Sequence, residues 1–369
     1  MRAVSFVLAV IVIGCGSPDP SPPAPLPEVP PVDMIAAGNG RALYATYCAL
    51  CHGATGEGYI ADNAPALANP DFLDAASDGY LRTAIEEGRP GTPMSAWAAS
   101  RGGPLSDADV TNLIALFRSW ATNAPIDLSH VTISGRRELG AALFGQHCAT
   151  CHGANGEGIS APALSNPVFL RSASAGFVRY TIEHGRRGTP MSAFGDAFDS
   201  ASIDDLTTFV RTLAPGAAEP AIPMGGPPPD IDHLVMNPDG PDPGFEPRED
   251  RFVPGRDVRD AMTRGARMVV LDARAPTDWA RSHVRGAAPF PFYDVDQLAS
   301  HLPNDGTWII AYCACPHAAS GHVVDELRRR GFQHAAILDE GIPWWIEQGY
   351  PVEAGPIPTG AESIHAAGH

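Results

Sequence analysis

Two short motifs pair thiols with an imidazole at a fixed spacing. The chain reads CALCH at Cys48, Cys51 and His52, and CATCH at Cys148, Cys151 and His152. Two thiols three positions apart can each form a thioether with a haem vinyl group, and the adjacent histidine can ligate the iron. A redox cysteine pair or half of a zinc site uses the same cysteines, but neither needs a histidine at that position. The spacing therefore predicts two covalently bound c-type haems, each with its motif histidine as the proximal iron ligand.

These motifs lie within a longer internal repeat. CALCHGATGEG at residues 48–58 recurs as CATCHGANGEG at residues 148–158. GRPGTPMSAW at residues 88–97 recurs as GRRGTPMSAF at residues 185–194. The pattern indicates tandem duplication of a domain of about 90 residues.

The sixth iron ligand is predicted from the second repeated block. Met94 and Met191 each follow Gly-Thr-Pro, 42 and 39 residues after the respective motif histidine. A thioether is a soft ligand that raises the reduction potential of haem iron. A lone methionine is more often a core residue, but the shared context favours ligation here. His147 and His184 are rival ligands in the second copy, and neither has a counterpart in the first.

Outside the motifs, each copy resembles a class I cytochrome c. Gly40 stands four positions before Tyr44, and Gly140 stands four positions before Phe144, on helical stretches that lead into the motifs. In that family a small residue here lets an N-terminal helix cross a C-terminal helix closely. The resemblance implies electron carriers whose haem iron has both axial positions filled by the protein.

Two Ser-x-x-Asp sequences predict where the C-terminal helices begin. Ser106 precedes Asp109 and Ser202 precedes Asp205, each ahead of an apolar pattern of helical period. Ser-x-x-Asp is a variant of the capping box. We therefore expect two all-α cytochrome c domains, over residues 33–126 and 127–215.

The segment from residue 248 to residue 353 alternates between strand and helix signals. Apolar runs predict strands at 268–271, 308–312 and 335–338, and periodic stretches predict helices at 258–264, 320–330 and from 343 onward. This order favours an α/β domain with a small parallel sheet covered by helices.

Three signatures in this segment resemble the rhodanese family. They are Asp272-Ala-Arg274 followed by Trp279 and SHVRGA at 282–287, a strand that ends in Cys313, and DEGIPW at 339–344. The family shows Gly-His-Ile-x-Gly-Ala in the first signature and Gly-Gly-x-x-x-Trp in the third, and this chain departs from both patterns. The resemblance implies a domain that handles sulfane sulfur.

By that resemblance, Cys313 is the nucleophile that forms a persulfide. The loop after it consists of Ala314, Cys315, Pro316, His317, Ala318, Ala319 and Ser320. Loop N–H groups and a helix N-terminus aimed at one point stabilise a thiolate and bind an anionic sulfur donor. Rhodaneses often carry Arg or Lys in this loop, whereas residues 318 and 319 are Ala, which leaves His317 as the local cation. Cys315 either forms a disulfide with Cys313 or packs.

The first residues of the chain resemble the export signal of a bacterial lipoprotein. Residues 1–14 contain an apolar run too short to span a bilayer, and Val12-Ile-Gly-Cys15 resembles a lipobox, which implies lipidation at Cys15. Ordinary cleavage nearby is the alternative. Residues 15–32 form a Pro-rich tether. The expected location is the periplasm or cell envelope, with the membrane contacted by the lipid anchor alone.

A second Pro-rich segment separates the haem domains from the α/β domain. Residues 215–247 contain ten Pro and six acidic residues but no Arg, which predicts an extended, poorly ordered connector over 216–247. Residues 354–369 form a tail.

Composition excludes nucleic acid as a partner. The formal net charge is −17, and every one of the 25 cationic residues is Arg, because the sequence contains no Lys. Such a chain cannot coat a phosphate backbone. By segment the charge is −5 over 33–126 and −1 over 127–214, so the two haem domains differ by four charges. The expected partners are redox proteins, such as other cytochromes or an oxidase, and a small sulfur compound.

Two functional hypotheses follow from these motifs. In the first, a dihaem cytochrome transfers single electrons while its rhodanese-like domain binds or transfers sulfur through Cys313. In the second, the rhodanese-like domain is inert and docks a partner.

Overall fold

The computed structural model describes residues 31–61, 63–214, 222–314 and 317–356. Within these ranges the chain forms two helical domains followed by an α/β domain. The predicted signal, Cys15, most of the tether, Cys315, Pro316 and most of the tail lie outside the described residues.

Five helices build the first haem domain: α1 (Met34–Tyr47), α2 (Ala49–His52), α3 (Pro70–Ala75), α4 (Asp78–Glu87) and α5 (Asp107–Trp120). Helix α1 crosses α5 at Gly40, where a Cβ atom would overlap the carbonyl oxygen of Asn112. Helix α5 begins where predicted, because Ser106 and Asp109 form a reciprocal capping box. The crossing buries Tyr44, whose hydroxyl donates to the carbonyl of Gly53 at 2.8 Å.

The second haem domain repeats this arrangement with α6 (Arg137–His147), α7 (Ala149–His152), α8 (Pro167–Ser172), α9 (Ala175–His184) and α10 (Ser200–Arg211). Gly140 meets the backbone of Asp205 as Gly40 meets Asn112. The predicted start of the last helix at Ser202 is wrong. Asp199 caps α10 and accepts from the Ser202 amide at 2.8 Å. Asp205 instead accepts from the Arg136 amide at 2.5 Å, which ties α10 to the start of α6.

The two haem domains face each other through equivalent residues. Asn69 Nδ2 donates to the carbonyl of Arg187 at 2.9 Å, and its counterpart Asn166 donates to the carbonyl of Pro90 at 2.8 Å. Asp71 adds an ion pair with Arg187 at 2.8 Å. Burial alone would raise the pKa of Asp71, but hydrogen bonds from Arg187 hold that pKa below its ordinary value. The reciprocal contacts give the pair an approximate two-fold relation.

The α/β domain is built on a five-stranded parallel sheet in the order β1-β6-β5-β2-β4. Its strands are β1 (Phe252–Val253), β2 (Met268–Asp272), β4 (Ala288–Pro289), β5 (Trp308–Tyr312) and β6 (Ala335–Leu338), and β3 (His283–Val284) pairs with β7 (Val352–Glu353). The helices are α11 (Gly255–Thr263), α12 (Pro276–Arg281), α13 (Val295–Leu298), α14 (Ala318–Arg329) and α15 (Gly341–Glu347). The predicted parallel α/β architecture is confirmed.

The described part of the Pro-rich connector is extended as predicted, but it is packed on the α/β domain. Met236 and Met268 exchange backbone hydrogen bonds at 2.8 and 3.3 Å. Leu234 and Phe245 are buried in the two apolar layers of the domain. Apolar side chains spaced between the prolines therefore fix residues 222–247 to the sheet.

Among the described residues, every helix is too short or too polar to cross a bilayer.

Substitution at the helix crossing tests the first haem domain. Gly40→Ala should destabilise it by about 1–3 kcal/mol, because the added methyl group must push α1 away from α5. Gly38→Ala, on the exposed side of the same helix with nothing within 4 Å of the new atom, should stabilise it by about 0.5–1 kcal/mol. Scanning calorimetry of the full chain measures both changes. Equal transition temperatures for the two variants would contradict this account of the crossing.

Candidate haem sites and sulfur site

The first CxxCH motif is held at a helix junction. Helix α1 ends before Cys48, and α2 then places Cys51 and His52 within a single turn. His52 Nδ1 lies 2.9 Å from the carbonyl of Pro65, which orients the ring and leaves Nε2 for a metal. Burial lowers the pKa of His52, which favours the neutral imidazole that ligates iron. These residues fit a covalently attached haem with His52 as its proximal ligand.

The second motif has the same local geometry. Its histidine, His152, places Nδ1 2.9 Å from the carbonyl of Pro162, the positional counterpart of Pro65. Burial also lowers the pKa of His152. Across the described residues, no group of three or more His, Cys, Asp or Glu side chains converges as a zinc site would require. The two motifs are therefore built alike for the same group.

The Gly-Thr-Pro-Met segments form matching loops. Thr92 Oγ1 accepts from the Met94 amide at 3.2 Å, and Thr189 Oγ1 accepts from the Met191 amide at 3.2 Å. Both methionines are half-buried. Each loop thus holds its methionine through the threonine two positions earlier, on residues that recur in both copies.

The rival histidines of the second copy pack against aromatic side chains. The ring of His147 packs 5.1 Å from that of Phe198, centroid to centroid. The ring of His184 packs 4.2 Å from that of Tyr180. His184 thus packs on a residue of its own helix, α9. His147, at the end of α6, packs on the segment that precedes α10.

The two methionine loops differ in what covers them. Ser95 and Ala96 are 5% and 6% exposed, whereas their counterparts Ser192 and Ala193 are exposed. The cover on the first loop is helix α12 of the α/β domain. Ser95 Oγ donates to the Asp278 carboxylate, and the α12 residue Thr277 donates to the Ala96 carbonyl at 3.0 Å.

The α/β domain also contacts the first haem-attachment segment. Leu50, between the two motif cysteines, packs against the apolar layer beneath α14. The ring of Tyr293 packs edge-to-face on Tyr47 and at a tilt against Trp97, with centroid distances of 4.9 and 6.0 Å. A cleft of about 430 Å³ lies between α1–α2 and the start of α14, lined by Leu50, Phe292 and His322 among others.

The candidate sulfur site begins at the carboxyl end of β5. Cys313 follows that strand and is 2% exposed. Its Sγ lies 3.2 Å from Ser320 Oγ in the first turn of α14. Gly341 has a φ of +67°, and a Cβ there would lie 2.7 Å from the Cys313 carbonyl oxygen. The glycine of the third signature therefore lets α15 start against the cysteine.

The predicted local cation His317 lies at the rim of this loop. It adopts a left-handed conformation as the N-cap of α14, with a φ of 76°. Its Nε2 lies 2.5 Å from the carbonyl of Asp339, and its ring packs on Phe252. Arg248 pairs with the Asp339 carboxylate at the same rim. Sequence reasoning missed Arg248, because it lies 65 residues from the cysteine along the chain.

The Asp-x-Arg signature forms a buried ion pair beside the site. Arg274 Nε and Nη2 donate to the two oxygens of Asp272 at 2.9 and 2.6 Å. Tyr312, directly before Cys313, donates to Asp272 at 2.9 Å. Burial alone would lower the pKa of Arg274, but the Asp272 charge raises it above the ordinary value. The motif was recognised in the sequence, but its contact with Tyr312 was not.

Comparison with known families agrees with this geometry. Residues 36–116 and 135–210 match the family model for subunit III of cbb3-type cytochrome c oxidase, and residues 256–348 match the rhodanese-like domain. The chain therefore contains two tandem cytochrome c domains, of a type that carries covalently bound haem and transfers electrons, followed by a rhodanese-like domain.

Individual relatives match the cytochrome part. The cbb3-type cytochrome c oxidase subunit FixP of Azorhizobium caulinodans is 31% identical over 198 residues, covering 51% of this chain and 63% of that protein. Subunit CcoP of Azospirillum sp. (strain B510) is 27% identical over 201 residues, covering 49% and 64%. The chain thus spans less than two thirds of the length of these relatives. Among solved structures, the reducing HAO-like protein complex of Kuenenia stuttgartiensis is 19% identical with a TM-score of 0.33, covering 48% of this chain and 96% of that one.

Breaking the buried ion pair tests its role in the sulfur site. Asp272→Asn should destabilise the α/β domain by about 3–5 kcal/mol, because it leaves the Arg274 charge buried without its partner. Glu353→Gln removes the carboxylate from a partly exposed pair with Arg285 and should cost about 0–1 kcal/mol. Hydrogen exchange of peptides from β2 and β5 in the full chain measures both. Similar exchange rates in the two variants would contradict a structural role for the pair.

Proposed function

We propose that this chain is a dihaem c-type cytochrome that transfers single electrons, with a rhodanese-like domain that binds or transfers sulfane sulfur through Cys313. The observation that supports the first part is the duplication of the candidate haem-binding residues and of the hydrogen bonds that orient them. Each of the two domains has, at equivalent positions, a pair of cysteines, a histidine oriented by a backbone carbonyl, and a methionine whose amide donates to a threonine. A haem bound there supplies one-electron chemistry.

In this proposal Cys48, Cys51, Cys148 and Cys151 would attach the two haems through thioether bonds, and His52, Met94, His152 and Met191 would ligate the iron. His52 and His152 are held by backbone carbonyls, which fixes the ring orientation without adding charge. With a histidine and a methionine on each iron, the haem domains would carry electrons rather than bind a substrate. Their part is to hold the group rigidly, so that little rearrangement accompanies each electron.

The proposed sulfur chemistry is a displacement at Cys313. The thiolate attacks the outer sulfur of a donor, the S–S bond of the donor breaks, and the remainder leaves with the electron pair as an anion. Ser320 Oγ, 3.2 Å from Sγ, is placed to donate a hydrogen bond to the thiolate. The near-complete burial of Cys313 favours a donor of only a few atoms. The described residues of the loop, Ala314 and 317–320, would line the transferred sulfur.

A second candidate function is docking without sulfur chemistry. It is favoured by the Ala318 and Ala319 side chains, which cannot neutralise an anionic donor, and by the direction of the His317 ring toward Asp339. Under this alternative, the rhodanese-like domain serves to cover one haem domain and to contact a partner.

The proposed partners are redox proteins at the cell envelope. The FixP and CcoP relatives of this chain are named as subunits of a cytochrome c oxidase. This similarity supports an oxidase or another cytochrome as the electron acceptor. We also propose that Cys15 is lipidated and holds the chain at a bacterial membrane. The more acidic first haem domain and the nearly neutral second one offer different surfaces to such partners.

Haem stoichiometry tests the cytochrome part. The pyridine haemochrome assay should give two haems per chain for the exported protein. The double variant Cys148→Ala/Cys151→Ala should give one, because it removes both attachment points of a single site. A value of one or zero haems for the unmodified protein would overturn the dihaem proposal.

Cyanolysis tests the sulfur part. After incubation with thiosulfate or polysulfide and removal of the excess, cyanide should release about one thiocyanate per chain, because it attacks the outer sulfur of a persulfide. Cys313→Ala should release none and should retain its haem spectrum. If the unmodified chain releases no more thiocyanate than Cys313→Ala with any donor, the docking function is the correct one.

A further inference from the structure

The rhodanese-like domain covers one haem site and leaves its duplicate uncovered. On the methionine side, Ser95 and Ala96 are buried beneath α12. On the attachment side, Leu50 is packed beside α14. In the second haem domain, Cys151, Ser192 and Ala193 are exposed. Two sites with the same proposed ligands therefore have unlike surroundings.

We propose that Asp278 and Thr277 are positioning residues for the Met94 loop and that they give the first haem a higher reduction potential than the second. This inference rests on the proposed His/Met ligation. It adds that the α/β domain regulates one of the two sites.

Two hydrogen bonds join the loop to α12. The loop donates one of them and accepts the other. Ser95, next to the proposed ligand, donates to the Asp278 carboxylate, and Thr277 donates at 3.0 Å to the carbonyl of Ala96. Asp278 is 5% exposed and Thr277 is 8% exposed, so water competes little for either bond. The loop is thereby fixed at the two residues that follow Met94.

The C-terminal end of α12 is held in place by Arg274. Arg274, held by Asp272, also donates to the carbonyl of Ser282 at the end of α12 and lies 3.5 Å from the carbonyl of Asp278. In the sheet register, Asp272 pairs with Tyr312, the residue before Cys313. The Met94 loop and the sulfur site are therefore supported at the same carboxyl edge of the parallel sheet.

The direction of the potential difference follows from charge and burial. Oxidised haem iron carries one more positive charge than reduced iron, and a poorly solvated site disfavours the form with more charge. A firmly held thioether also favours the reduced state. The Asp278 carboxylate opposes this trend, but Arg281 Nη1 lies 3.8 Å from it and offsets part of its charge. We expect burial to outweigh this partly compensated charge, because Ser95, Ala96 and the α12 residues that cover them exclude water from the loop.

The repeat supplies a matched pair of variants. Ser95→Ala removes the bond to Asp278, and Ser192→Ala makes the same change at the exposed counterpart. A spectroelectrochemical titration of the full holoprotein should resolve two midpoint potentials. Ser95→Ala should lower the higher one and weaken the long-wavelength absorption of methionine-ligated ferric haem. Ser192→Ala should leave both potentials in place.

Two further variants separate hydrogen bonding from charge. Thr277→Val should lower the same potential as Ser95→Ala, because it frees the other side of the loop. Asp278→Asn keeps an oxygen that accepts from Ser95 and should retain the methionine absorption. Loss of that absorption in Asp278→Asn, or unchanged potentials in both Ser95→Ala and Thr277→Val, would overturn the positioning role.

Met94→Ala distinguishes failure of this inference from failure of the proposed ligation. It should strongly lower one potential and abolish part of the methionine absorption. If Met94→Ala leaves both potentials unchanged, Met94 is not a ligand and both proposals fall. If Met94→Ala acts while Ser95→Ala and Thr277→Val do not, or if Ser192→Ala acts as strongly as Ser95→Ala, only the positioning role is wrong.

Discussion

The buried Asp272–Arg274 pair links the sulfur site to the helix that covers the first haem domain. Asp272 accepts from Tyr312, which leads into Cys313, and Arg274 holds the carbonyls at the end of α12. Helix α12 in turn covers the first methionine loop. A buried ion pair is stable only when both charges are paired and hydrogen-bonded, so its members cannot move independently. One constraint therefore fixes the sulfur site and one face of a haem domain together.

The two haem domains share the same internal contacts, and they differ in how far the α/β domain covers them. The close helix crossings at Gly40 and Gly140 and the carbonyl-held histidines recur in both copies. These features lie within each domain, so a neighbour does not alter them. The methionine loops lie at the surface, where the α/β domain covers the first and leaves the second exposed. Divergence is thus confined to the part of each site that faces another domain.

Local patterns predicted the elements well where the signal was contained in a few residues. The strands at 308–312 and 335–338 have the predicted bounds, and the capping box at Ser106 starts α5. The same pattern failed at Ser202, because Asp199 caps that helix and Asp205 is used by Arg136. The connector was also predicted to be poorly ordered, since its composition gives no sign that Leu234 and Phe245 would be buried.

The sequence alone determined the haem-attachment motifs, their duplication and the class of each domain, because haem attachment and the alternation of strands and helices depend on residues close together in the chain. The candidate ligands Met94 and Met191 could also be predicted from the sequence, because both copies of the repeat place a methionine after Gly-Thr-Pro. Only the tertiary structure decided which haem domain meets the rhodanese-like domain. The bond between Ser95 and Asp278 joins residues 183 positions apart, and no local pattern specifies a contact at that separation. The difference between the two haem sites is therefore a property of the fold.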